Sequence, residues 1–225
     1  MADRNEIDFD FDALESELYS GLAKAFTSLQ LDFPDERFYN FTLYISPGMV
    51  YVSIAANTED GLDTTVRQYR EKYPKYAKVR YDDTKAYFRH EFGDFVFFAH
   101  GHDMSAYDAS TENADKLLSA FVQETDELLD YWLERLDDDF DAAWEYVGPL
   151  HERILDICER VMRRLDNEKV FELNSPRENV TLLVRHGDSE ADPEIARRLN
   201  PDGVYRRFLK NYDIAQKAIN VMQGD

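Results

Sequence analysis

A chain of 225 residues with 46 acidic and 26 basic side chains carries a formal charge of −20. A field of that sign repels phosphate backbones and anionic bilayers, so it argues against nucleic acid and membranes; it suits a basic protein as partner, with solubility as the equally plain explanation. The apolar fraction of 44% with 14% aromatics suits one folded domain over residues 1–225 rather than a disordered chain.

The first helix is expected from about Asp12 to Leu31, where Leu14, Leu18, Leu22, Ala25, Phe26 and Leu29 recur at three- and four-residue steps. Asp12 and Glu15 have capping-box spacing, and Pro34 ends the element. A hairpin over residues 38–56 follows. Phe38–Ser46 and Met49–Ala56 are aromatic and β-branched, and Pro47-Gly48 between them is a turn in which Gly accepts a positive φ. One face of the first strand is apolar and the other mixed. Thr58 then caps a helix reaching about Tyr73, and Pro74 stops it. Ala77–Tyr81 reads as a third strand and Phe95–Ala99 as a fourth. Residues 111–165 form a helical block, broken at Asp137-Asp138-Asp139, with Gly148-Pro149 as a kink or a fresh start. A late strand spans 180–184, and Asp192–Leu199 and Tyr205–Val221 read as helices. The order implies an α+β fold with one antiparallel or mixed sheet of four to five strands packed against several helices.

The single cysteine, Cys158, lies in an apolar-periodic helical stretch and reads as a buried inert thiol. The N-terminus has no basic and apolar leader pattern and no window spans a bilayer, so a cytoplasmic location is expected. No glycine-rich phosphate loop or complete catalytic set is present, and no cofactor is expected.

Two histidine motifs carry an alternative. Arg185-His186-Gly187 follows a strand, as in the histidine phosphatases it resembles, where the imidazole attacks phosphorus and the arginine neutralises the oxygens. That family has the motif at the start of its domain and a second histidine after it. Here the motif comes late with none following, so the tripeptide reads as chance. His100 and His102 on an extended segment have metal-sharing spacing, but the acid of a metallo-β-lactamase pattern is out of place at Asp103 and its following histidine is missing. A polar loop explains them as well. A hydrolase at either site is therefore the alternative to a non-enzymatic binding protein. A third reading is adaptation to high salt, since Asp outnumbers Glu and Arg outnumbers Lys.

The stretch from Tyr69 to Tyr87 interleaves tyrosines with Arg70, Lys72, Lys75, Lys78 and Arg80. It is the most basic part of the chain and a candidate for an anionic ligand or partner, with a surface helix and an edge strand as the plain explanation.

Several features together resemble an uncharacterised bacterial family, domain of unknown function 4303. They are the aromatic strand Phe38–Tyr44, the Ala56-Asn57-Thr58-Glu59-Asp60 helix start, the late strand ending near Asp188, and Leu199-Asn200-Pro201. The resemblance covers roughly Leu14 to Leu209. It implies no established enzymatic activity, and through the setting of some relatives it implies an immunity-type, toxin-neutralising role. Asn57, Thr58 and Asp188 from these segments and Arg80 from the basic stretch are the binding candidates; the plain role of Thr58 is to cap the helix and that of Asn57 to take an unusual backbone just before it. Oligomeric state is not legible.

Overall fold

The computed structural model describes residues 7–89, 91–98, 102–187 and 191–223. It is a mixed α+β fold whose sheet has helices on both faces. Helix α1 (Phe11–Asp32) buries the expected stripe from Leu14 to Leu29. Its cap is Asp10, whose carboxylate accepts from the Ala13 N–H at 2.9 Å, so Asp12 sits inside the first turn rather than at the cap. Strands β1 (Phe38–Ile45) and β2 (Val52–Thr58) pair antiparallel with Phe41 opposite Ala56 and Leu43 opposite Ile54. In the turn between them the Met49 N–H donates to the Ser46 carbonyl at 2.8 Å, and the positive φ falls on Met49 (54°) rather than on Gly48.

Thr58 caps helix α2 (Glu59–Lys72), as expected, accepting from the Gly61 N–H. The supposed third strand is instead the link between two short helices: α3 (Pro74–Ala77) ends at its first residue, α4 (Tyr81–Phe88) begins at its last, and residues 78–80 connect them without pairing to the sheet. Pro74 starts α3 at its first turn, and the Arg70 guanidinium donates to the carbonyls of Tyr76 and Val79, both at 2.8 Å. Those acceptors are then not available to a sheet. The described part of Phe95–Ala99 makes only one bridge, Phe97 to Ala56, because the His102 N–H turns back onto the Val96 carbonyl. Ala99 lies outside the described residues.

Helices α5 (Ser105–Asp108), α6 (Glu112–Leu133) and α7 (Phe140–Asn167) follow. The break at the three aspartates is where it was expected, but α7 runs through Gly148-Pro149. Pro149 and Glu145, whose carbonyl the proline leaves unpaired, both lie on the exposed face, where water can take the lost hydrogen bond. Strand β3 (Thr181–His186) lies parallel to β1, with Phe41 opposite Leu182, and α8 (Pro193–Leu199) and α9 (Asp202–Gln223) complete the chain. Among the described residues the sheet has three strands in the order β2-β1-β3, fewer than the four to five expected.

One face of the sheet meets α1, α6 and α7 over a core in which Phe26, Phe41 and Phe171 pack ring to ring at 5.1–5.5 Å. The other face is the mixed one. It is also buried, with Leu183 against Phe208 of α9 and Tyr39 against Leu62 and Val66 of α2. Its polar side chains must therefore bond within the protein. Thr42 donates to Asn40 at 2.7 Å, and Asn57 donates to the Tyr39 hydroxyl at 3.1 Å.

Candidate functional sites

The acidic charge is concentrated. Residues 124–145 carry ten acidic side chains and one basic, Arg135, and they form the turn end of the α6–α7 hairpin. Leu118, Phe121, Leu128 and Trp132 on α6 and Ala143 and Val147 on α7 hold the two helices together. Asp137 and Asp138 both take positive φ, 51° and 62°, and Asp139 caps α7 by accepting from the Ala142 N–H at 3.1 Å. All three carboxylates are exposed. Large aromatic side chains stand among these charges. Phe140 is 53% exposed and Trp144 40%, and their rings stack at 5.8 Å. Tyr146, on the side facing α6, stacks on Trp132 at 3.8 Å and is 39% exposed. Helix periodicity places the aromatics, and the acids come from the facing helix ends as well as from the turn.

A cleft of about 460 Å³ lies along the outer edge of β2. Two aspartates close this edge. Asp115 accepts from the Val52 N–H at 2.8 Å, and Asp108 accepts from the Ser53 hydroxyl at 2.7 Å. Burial raises both carboxyls, Asp115 to about 6. These bonds occupy an edge that would otherwise be open to another strand.

The binding candidates do not converge. Asn57 is 1% exposed, and its side-chain oxygen accepts from the Thr58 N–H at 3.0 Å while its amide holds Tyr39. Thr58 thus caps α2 as expected, whereas Asn57 keeps ordinary strand backbone in β2, and its side chain builds the β2–α2 junction. Arg80 is exposed and pairs with Asp82 at 3.7 Å. Asp188 lies outside the described residues. The basic, tyrosine-rich stretch folds inward: Tyr69, Tyr76, Tyr87 and Phe88 form a small aromatic cluster.

Of the histidine motifs, His100 is outside the described residues. The His102 ring stacks on Phe97 at 4.5 Å and meets Phe33 edge-on at 4.8 Å. Among the described residues no group of three or more His, Cys, Asp or Glu side chains is placed to hold a metal ion. His186 ends β3 with Nε2 at 3.0 Å from the Pro47 carbonyl oxygen, so the tautomer that bonds there carries its proton on that nitrogen. Arg185 beside it is 4% exposed. Cys158 is fully buried, and burial pushes its thiol up to about 12.

Sequence reading missed an arginine cluster at the end of the sheet where β1 and β3 begin. Arg89 forks onto Glu59 at 2.7 and 2.9 Å and lies over the Tyr39 ring at 4.5 Å, while the Tyr39 hydroxyl donates to the Arg89 carbonyl. Arg37 and Arg207 line the same cleft. The three arginines come from separate segments, so no local pattern announces them.

No helix among the described residues is long and apolar enough to cross a membrane. Comparison with curated proteins and with solved structures gave no match. A family model, by contrast, matches residues 18–201, and the chain belongs to that family, the domain of unknown function DUF4303.

Proposed function

We propose that the protein is a non-enzymatic binding protein whose α6–α7 hairpin turn docks a basic protein. The observation that carries this reading is the charge of residues 124–145, ten acids to one base, surrounding exposed Phe140, Trp144 and Tyr146. Clustered acids speed the docking of a basic surface, and exposed Trp and Tyr rings supply the buried anchors on which interface energy concentrates. Trp144 is held by its stack on Phe140 before binding, so little ordering entropy is lost on docking. A toxin-neutralising role fits the same chemistry, because a cationic nuclease is the kind of partner an acidic, aromatic surface suits.

The test is a low-salt affinity capture from the native cell with the wild type and with an Asp137→Asn/Asp138→Asn/Asp141→Asn/Trp144→Ala variant, followed by identification of what binds. The reading expects one basic protein, captured by the wild type, lost with the variant, and lost at about 0.5 M salt, where screening shortens the field to a few ångströms. Equal capture by both proteins would refute it.

A further inference from the structure

We propose that the arginine-lined cleft at the end of the sheet is a binding site for a small organic oxyanion, a phosphorylated or carboxylated molecule. The cleft has a volume of about 720 Å³, within the range that takes a metabolite and well beyond an inorganic ion. Its lining holds three guanidinium groups, Arg37, Arg89 and Arg207, against one carboxylate, Glu59. In a chain of charge −20 this local excess of positive charge runs against the whole molecule.

The three arginines divide the work. Arg89 is committed to Glu59, which Lys85 also holds at 3.1 Å, and it stiffens the wall. Arg207 gives one terminal nitrogen to the Glu178 carbonyl, which leaves the rest of its fork for a ligand. Arg37 is exposed and makes no hydrogen bond or ion pair with the described residues, and neither it nor Arg207 has a carboxylate partner among them. Guanidinium forks match carboxylate and phosphate geometry, and two of them across a cleft hold an oxyanion in a fixed orientation. Asn179 and Asn211 line the cleft with side chains that have no bond to the described residues, so both can serve the hydroxyls of an organic body. Phe38 and Phe208, each 1% exposed, give it an apolar floor. The Asn57–Tyr39 hydrogen bond fixes the wall behind Arg89. Asn57 thus acts on this site as a positioning residue, without touching the ligand.

Thermal unfolding of the full chain at low salt would be followed with glucose 6-phosphate, adenosine monophosphate, citrate and inorganic phosphate, with glucose as the neutral control. The proposal expects a saturable rise in Tm with at least one organic anion and none with glucose. Preference for the phosphate esters would assign a phosphate ligand, and preference for citrate a carboxylate. Arg37→Gln/Arg207→Gln should weaken that binding at least about tenfold, since each arginine bonds the ligand directly. Arg37→Glu, at an exposed site free of the Glu178 bond, should do the same. The proposal is overturned if no organic anion binds saturably up to about 10 mM, if inorganic phosphate alone binds, or if both variants bind as the wild type does.

Discussion

Asp115→Asn should make the protein more stable at pH 7.5 and leave it nearly unchanged at pH 4. The Asp115 carboxylate is half-buried at the edge of β2, accepts from the Val52 N–H at 2.8 Å, and is pushed up from 3.8 to about 6, chiefly by burial and further by the charges of Asp108 and Glu112. Because its pKa is higher in the folded protein than in the unfolded chain, its favourable contribution is fully present below pH 3.8. That contribution is lost as the pH rises through about 6. For a fully buried group the displacement would correspond to about 3 kcal/mol. Water reaches this carboxyl, which reduces the expectation to about 1 kcal/mol. An asparagine keeps the acceptor for Val52 and removes the charge. Urea unfolding at the two pH values reads the difference directly, and a chain of this size should gain about 2–4 °C in Tm at pH 7.5. If Asp115→Asn is instead less stable than the wild type at pH 7.5, the charged hydrogen bond outweighs desolvation and the reasoning fails.

Three further outcomes follow from the packing. Arg198→Ala should cost about 2–3 kcal/mol in urea unfolding at pH 7, because Arg198 forks onto Glu159 at 2.6 and 2.8 Å and Glu159 is 3% exposed, which leaves a buried carboxylate without its partner. Gly21→Ala should destabilise by about 1–2 kcal/mol even though alanine is the better helix former, since the new methyl would stand 2.5 Å from the Ser110 carbonyl oxygen. Cys158 should react with a thiol reagent only in denaturant, and labelling of the folded protein within minutes would contradict its burial and its thiol near 12.

Local signals were legible in the sequence wherever one element determines its own outcome. The stripe from Leu14 to Leu29, the Thr58 cap and the break at Asp137-Asp138-Asp139 depend on spacing and cap chemistry within a few residues. The errors arose where distant contacts decide. The β-like run Ala77–Tyr81 is a link between two helices because Arg70, on α2, takes the carbonyls of Tyr76 and Val79, and Phe97 makes one bridge rather than a ladder. The acidity of residues 124–145 was present in the sequence, but that it gathers with Phe140 and Trp144 at one turn depends on the pairing of α6 with α7. Arg37, Arg89 and Arg207 are far apart in the chain and meet only because the start of β1, the end of α4 and the first turns of α9 lie on one side of the sheet. Asn57 and Thr58 were singled out through the family resemblance, and their bonds to Tyr39 and Gly61 give them a structural task.

The central claim, that the α6–α7 turn is the docking surface, is tested most directly by photo-crosslinking in the native cell from a benzoylphenylalanine placed at position 144, with position 24 on α1, also exposed, as the control. The account predicts a single crosslinked basic protein from position 144, absent from position 24 and lost when Asp137, Asp138 and Asp141 are changed to Asn. No product from position 144, or the same product from both positions, would contradict it.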